Sequence, residues 1–242
     1  MNIPAAPDRG TVAATCRPRY GTGNPEAVAN PYWEWAIRAE MDPYTARQAF
    51  KLPSSASVHR RHGARHAYRD DENGPVWTFA RFGMSETDLA DGRRLCIAGE
   101  HEDWYDPDFC IYNDVIIFGP DDVIAIYAYP LDVFPPTDFH SATQVAGSLF
   151  LIGSVGYVDL RRPGTTPVHA LDLETMAISR IATSGPEPGW IGHHDAEYIA
   201  SDNAIVVSGG RVCLGEGENQ SFVSLEGHHA LSLETMTWSR IG

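Results

Sequence analysis

The sequence predicts an all-β protein that is preceded by a short helical segment. From Trp77 onward, short apolar and β-branched runs alternate with turns of Gly, Pro and Asp, which is the pattern of strands. Within this part, HALDLETMAISRI (169–181) and HALSLETMTWSRI (229–241) agree at ten of thirteen positions. A sequence that recurs at a fixed offset is typical of a repeat architecture. Residues 30–50, by contrast, carry helix-start signals.

The N-terminal part divides into two segments. Residues 1–29 are rich in Pro, Gly, Ala and Thr without periodicity, which predicts a mobile arm. Asn30-Pro31 and Asp42-Pro43 each place an N-cap residue before a proline, and proline suits the first helical position because no N–H is needed there. We therefore expect two short helices within residues 30–76, followed by an irregular linker.

Three segments of the β-rich part align with one another. They are RFGMSETDLADGRRLCIAGEH (81–101), DFHSATQVAGSLFLIGS (138–154) and GHHDAEYIASDNAIVVSGG (192–210). The alignment places Met84, His140 and His194 at one position, at offsets of 56 and 54 residues. Each segment predicts two strands, and a second strand pair follows, at 115–129 or in the thirteen-residue repeats. Four antiparallel strands in a unit of this length indicate a propeller blade.

These units resemble kelch repeats. That family opens each blade with His-Ser-Ala-Thr, ends an apolar second strand in Gly-Gly and carries a tryptophan in the fourth strand. HSAT at 140–143, Gly209-Gly210 and Trp238 match this pattern. The match is partial, because the other units keep one glycine of the doublet and Ile178 replaces the second unit's tryptophan. The resemblance covers residues 77–242 and implies three β-propeller blades, without implying one activity.

Three blades pose a closure problem, because closed propellers typically have about four to eight. In one solution the N-terminal helices cover an exposed end of the blade set. In the other, two chains combine their blades into a six-bladed homodimer. We expect the homodimer, because an unclosed set leaves strand edges that are shaped to pair with other blades.

The net charge of −14 is concentrated in the β-rich part. Residues 77–242 contain 8 basic and 24 acidic residues, an excess that repels phosphate backbones. We therefore expect no nucleic-acid partner. The one basic stretch, HRRHGARHAYR at 59–69, is interpreted as a solvated linker, and the alternative is contact with RNA or an acidic surface.

Neither a membrane span nor a secretory leader is expected. No apolar run approaches the roughly 18 residues that a transmembrane helix needs, and the first residues contain no apolar stretch. A cytoplasmic location follows as an expectation. The four cysteines match no metal or disulfide spacing, and Cys96 and Cys213 lie beside apolar strands, so we expect them to pack in the core.

One face of the predicted blades carries the long loops, where binding residues concentrate. Its densest segment is GEHEDWYDPDFCIYND (99–114), which offers carboxylates, a histidine and aromatic residues. Its binding candidates are Trp104, Tyr105, Asp106 and Asp108, its acid–base candidates are His101 and Glu102, and its metal candidates are His101, Asp103 and Asp106. The spacing of these residues matches no calcium or zinc motif. We therefore interpret the segment as an acidic solvated loop and expect no cofactor. The alternative is that the segment binds a divalent metal.

Further candidates lie near the expected channel and on the long-loop face. His193 and His194 are acid–base candidates, because imidazole titrates near neutrality. His140 is a binding candidate, although a bond to a neighbouring strand is the favoured interpretation. Arg161 and Arg162 form a pair that can clamp a carboxylate or phosphate. Trp190 can wall a pocket together with residues 134–136.

The doubled thirteen-residue sequence itself is interpreted as a folding signal. Its matched histidines, His169 and His229, begin third strands, and Leu171 and Leu231 are expected to face neighbouring blades.

These features predict a binding or scaffold protein whose acidic long-loop face recognises a partner, expected to be basic. The alternative is a small-molecule enzyme with acid–base or metal-assisted chemistry at the channel mouth. A third hypothesis is a structural protein whose assembly into a dimer is its purpose.

Overall fold

The computed structural model describes residues 5–53, 74–102 and 109–241, and this part of the chain is mostly β. The three α-helices are α1 (Arg9–Thr15), α2 (Pro31–Ala39) and α3 (Pro43–Phe50). The strands, in chain order, are β1 (Glu26–Ala27), β2 (Ser85–Asp88), β3 (Arg94–Ile97), β4 (Glu100–His101), β5 (Cys110–Ile111), β6 (Val115–Phe118), β7 (Ile124–Ala128), β8 (Ser141–Val145), β9 (Ser148–Ile152), β10 (Val168–Asp172), β11 (Ile178–Arg180), β12 (Trp190–Gly192), β13 (Asp195–Ile199), β14 (Ala204–Ser208), β15 (Arg211–Leu214), β16 (Ser221–Ser224), β17 (His228–Ser232) and β18 (Thr237–Ile241). No helix within these described ranges has the length and apolar character to cross a membrane.

Each of the three predicted units forms an antiparallel sheet of four strands. The first sheet is β2-β3-β6-β7, with β1 added beyond β7; the second is β8-β9-β10-β11; the third is β13-β14-β17-β18. Every strand of a unit pairs with the next one within that unit. The sequence-based grouping of strands is therefore confirmed.

The three sheets pack face to face in chain order. Leu149 and Leu151 of β9 lie in the apolar layer against the first sheet, whereas Phe150 and Ile152 lie in the layer against the third. This division follows from the two-residue period of a strand, which sends alternate side chains to opposite faces. Burial of both faces explains why residues 149–152 of β9 are all apolar rather than alternating.

The helices cover the other face of the first sheet. Both predicted caps are present: Asn30 Oδ1 accepts from the backbone N–H groups of Tyr32 and Trp33 at 3.0 Å, and Asp42 accepts from Thr45 at 2.8 Å. The buried ring of Trp33 stacks on Trp77, with 4.8 Å between ring centroids. Its layer includes Cys96, Ile116 and Ile126 of the first sheet.

A buried ion pair lies at the junction between this helical layer and the first sheet. The guanidinium of Arg81 bonds to the carboxylate of Asp114 through two N–H groups, one of them at 2.9 Å, and stands 3.5 Å above the ring of Tyr112. The indole N–H of Trp77 donates to the same carboxylate at 2.7 Å. The charges are paired and hydrogen-bonded, as buried charges must be.

The segment that the sequence predicts as a mobile arm contains a helix and a short strand within residues 5–29. Asp8 caps α1, and Val12 and Cys16 are fully buried in the helical layer. Farther along, β1 pairs with β7. Composition alone missed this segment because α1 is buried by packing against α2 and α3, and β1 pairs with a strand about a hundred residues farther along the chain.

The predicted loop at 99–114 and the connections around the third sheet contain additional strands. β4 pairs with β5, and β12, β15 and β16 form a separate three-stranded sheet. All four cysteines lie within the described residues; each is buried and none forms a disulfide. The basic stretch at 59–69 lies outside the described residues.

Candidate functional site

A cavity of about 250 Å³ opens beside the last two strands of the second sheet. Two loop segments and three strand residues line it. The connection from the first sheet contributes residues 131, 132 and 135–137, the loop between β9 and β10 contributes residues around 160–167, and Trp190 of β12 closes one side. We call this space the rim cavity, because β11 is the outermost strand of its sheet.

His169 and Arg180 project into the rim cavity from adjacent strands. They are cross-strand partners in the β10–β11 register, so their side chains share one face of the sheet. His169 is only 5% exposed. Burial, together with the charge of Arg180, lowers the pKa of His169 to about 4. The imidazole is therefore neutral at pH 7.

Arg162 supplies a second guanidinium from the loop. One of its terminal nitrogens donates to the backbone carbonyls of Asp159 at 2.7 Å and Arg161 at 2.8 Å. These bonds hold one edge of the guanidinium against the loop. The ionised side chains of the lining are two guanidinium groups, Arg162 and Arg180, and one carboxylate, Asp132. The lining therefore carries a net positive charge in a part of the chain that is strongly acidic.

The remaining walls are apolar and rigid. Pro135 and Pro136 stand on one side, and Trp190, 7% exposed, on another. The indole N–H of Trp190 donates to the carbonyl of Val155 at 3.2 Å, which fixes the ring orientation. Phe134 packs edge-on against His169, with 5.4 Å between centroids. An apolar pocket with a few convergent polar groups is the usual form of a small-molecule site.

The third sheet repeats the histidine–arginine pair in a different setting. His229 and Arg240 are cross-strand partners in β17–β18, at the positions that His169 and Arg180 occupy in the second sheet. The ring of His229, however, hydrogen-bonds the backbone of Pro186, a contact that opposes the lowering of its pKa by burial. Identical residues therefore line a cavity in one sheet and bond to a connection in the next.

The structure separates the two arginines that the sequence pairs. Arg162 lines the rim cavity, whereas Arg161 is buried and donates to the carbonyls of Val155 at 2.8 Å and Gly156 at 2.9 Å. Its guanidinium also stands 5.0 Å from the ring centre of Phe222. Arg161 therefore holds loops together rather than facing the cavity.

The histidines of the aligned motif join neighbouring sheets. Nε2 of His140 lies 2.8 Å from the hydroxyl of Ser85, and Nε2 of His194 lies 2.9 Å from that of Ser141. Burial lowers the pKa of His140 to about 3 and that of His194 to about 4. Both rings are therefore neutral at pH 7. Neither histidine lines the rim cavity.

The other acid–base candidates also lie away from this cavity. His193 is exposed and packs on Phe139, with 4.0 Å between ring centroids. Nδ1 of His101 lies 3.0 Å from the carbonyl oxygen of Ala80. Glu102, which follows it, is half-buried.

Part of the predicted acidic site lies outside the described residues. This applies to Asp103, Trp104, Tyr105, Asp106 and Asp108. Within the described ranges, no group of three or more His, Cys, Asp and Glu residues is arranged to hold a metal ion.

Sequence reasoning found only part of the rim cavity. Arg162, Trp190 and the prolines were candidates, whereas His169 was interpreted as a folding residue and Arg180 and Ser154 were not considered. The cross-strand spacing of His169 and Arg180 in a hairpin was a usable signal, because it placed both side chains on one face. The chain matches no known family model, and a search of curated proteins gives no match.

Proposed function

We propose that the rim cavity binds a small organic anion with a flat apolar body. The observation that carries the proposal is the convergence of Arg162, Arg180 and His169 on a cavity walled by Trp190 and two prolines. Guanidinium groups bind carboxylates and phosphates through paired N–H donors. Neutral His169 can donate one further hydrogen bond to such a ligand from a site that is shielded from water.

The size of the cavity limits the ligand. At about 250 Å³ it lies near the lower end of small-molecule sites, which span roughly 300–1,000 Å³. Trp190 and the prolines favour a planar ring, since flat apolar surfaces stack on one another. A monocyclic carboxylate or phosphate monoester fits these requirements.

The proposal is tested by calorimetric titration with benzoate and phenyl phosphate, using benzamide as the uncharged probe. We expect at least one anion to bind and benzamide to bind more weakly. Arg180→Gln should weaken anion binding about tenfold, because a charge-assisted hydrogen bond is lost. The matched control is Arg240→Gln, at the equivalent position of the third sheet, which should bind as the wild type does.

Two outcomes contradict the proposal. One is the absence of binding by both anions at millimolar concentration. The other is an equal loss of affinity in the Arg180 and Arg240 variants, which would place the anion elsewhere.

We further propose that the three sheets are consecutive kelch-type propeller blades and that the helices close the first of them. The strand order, the face-to-face packing in chain order and the repeated histidine–serine contact support the proposal. A six-bladed ring of two chains would need the face of the first sheet that Trp33 and Trp77 cover. A homodimer stays a prediction, and its contact would have to use another surface.

A further inference from the structure

The rim cavity carries a carboxylate as well as its two guanidinium groups. Asp132 lines the cavity from the connection between the first and second sheets, whereas Arg162 and Arg180 line it from the β9–β10 loop and from β11. All three residues are solvent-exposed. A ligand with a negative charge alone would use the guanidinium groups and would leave the carboxylate of Asp132 without a role.

The turn that carries Asp132 is fixed by a buried side chain. The backbone N–H of Phe134 donates to the carbonyl of Pro130 at 3.0 Å, which closes the turn. Asn113 is 3% exposed, and its side-chain amide donates to the carbonyls of Phe134 at 2.7 Å and Tyr129 at 3.0 Å. Phe134 itself is fully buried. The backbone of Asp132 is therefore held in place beside the cavity.

The opposite charges of the lining do not neutralise one another. Among the ion pairs that the described residues form, none includes Asp132, Arg162 or Arg180. One nitrogen of Arg162 is bonded instead to two backbone carbonyls of its own loop. A carboxylate and a guanidinium that border one cavity without pairing can each receive the opposite charge from a ligand.

The lining also offers apolar surface to the body of such a ligand. Leu131 lines the cavity next to Asp132, and this apolar residue is 42% exposed. Trp190, Pro135 and Leu160 line the cavity as well. A ligand with an apolar group would remove part of this surface from water, which is favourable. The lining therefore matches a molecule that combines one negative charge, one positive charge and an apolar body.

We infer that the ligand of the rim cavity is a free amino acid with an aromatic side chain, whose carboxylate binds Arg180 and whose ammonium group binds Asp132. This inference rests on the proposed function of the rim cavity as an anion site, and it narrows the class of ligand. An aromatic amino acid carries all three required features in one small molecule. Its ring meets the same apolar walls that favour a planar body.

Calorimetric titration of the full chain with three matched probes tests the inference. Phenylalanine carries both charges, hydrocinnamate lacks the ammonium group, and phenethylamine lacks the carboxylate. We expect phenylalanine to bind about tenfold more tightly than hydrocinnamate, because a charge-assisted hydrogen bond to Asp132 is added. Phenethylamine should bind more weakly than both, because it offers no anion to the guanidinium groups.

Two variants separate the contribution of the carboxylate from that of the guanidinium. Asp132→Asn should weaken the binding of phenylalanine about tenfold and should leave hydrocinnamate bound at least as tightly as before. Arg180→Gln should weaken the binding of both ligands. Glu174→Gln is the matched control, because Glu174 is an exposed carboxylate in the β10–β11 turn and does not line the cavity. This variant should change neither affinity.

Failure of the inference is distinguishable from failure of the proposed function. If hydrocinnamate binds and phenylalanine binds no more tightly, the rim cavity remains an anion site and the amino-acid inference is overturned. The same conclusion follows if Asp132→Asn does not weaken the binding of phenylalanine selectively. If neither phenylalanine nor hydrocinnamate binds at millimolar concentration, the proposed function fails and the inference fails with it.

Discussion

At the scale of single residues, surroundings decided what each repeated side chain does. His169 and His229 occupy equivalent positions, yet one faces a cavity and the other bonds to the backbone of Pro186. Arg161 and Arg162 are neighbours in sequence and point to different places. A sequence repeat predicts where in a strand a residue lies. The groups that its side chain contacts belong to connections that differ between units, so the repeat does not predict them.

The buried histidines should make the protein less stable in acid. Burial lowers the pKa of His140 to about 3, so the folded state resists a proton that the unfolded chain accepts near pH 6.5. The free energy of unfolding should therefore fall as pH decreases from about 6.5. His140→Gln keeps a nitrogen that can bond to Ser85 and does not titrate. This substitution should reduce the slope of the unfolding free energy against pH by up to about 1.4 kcal/mol per pH unit.

Chemical denaturation between about pH 4 and pH 6.5 measures this slope. Parallel profiles for His140→Gln and the wild type would contradict the assignment of a buried neutral histidine at this position.

At the scale of elements, local signals placed α2 and α3 and failed for α1. Asn30 and Asp42 each cap a helix through bonds to backbone N–H groups two or three residues ahead, and a proline follows each of them. Because these signals are local, the sequence alone predicts where α2 and α3 begin. Helix α1 has seven residues and depends on the burial of Val12 and Cys16 for its stability. Short helices of this kind are stabilised by tertiary packing rather than by propensity.

The attachment of the helical layer should depend on the hydrogen bond from Trp77 to Asp114. Trp77→Phe removes an N–H donor from a buried carboxylate. The free energy of unfolding should fall by about 1.5–3 kcal/mol beyond the effect of the change in packing. Trp238→Phe is the matched control, because Trp238 is equally buried and its indole N–H has no partner in the described part of the chain. Urea denaturation compares the two variants. Equal losses of unfolding free energy in the two variants would show that the hydrogen bond of Trp77 contributes no stability beyond that of packing.

At the scale of the whole molecule, the sheets stack in one direction and the helices cover one end. The second sheet is buried on both faces, and the first is covered by the helical layer. The sequence could predict three similar units but not which end of the stack the helices cover. The apolar face of a helix does not specify the sheet against which it packs.

The homodimer predicted from the sequence is tested by light scattering of the full chain. That prediction requires a mass of twice 26.6 kDa. A mass of 26.6 kDa at micromolar concentration would contradict it and leave the helices as the closure of the first sheet.

The sequence by itself determined the strand units, their turns, two helices and the apolar layers between sheets. These depend on periodicity, capping and turn chemistry, which act over a few residues. Only the tertiary structure decided that Arg162, Arg180 and His169 share one cavity with Trp190 and with the connection from the first sheet. Those contacts join segments from different units through irregular connections. Their paths follow from how whole sheets pack, and no local pattern in the chain encodes that packing.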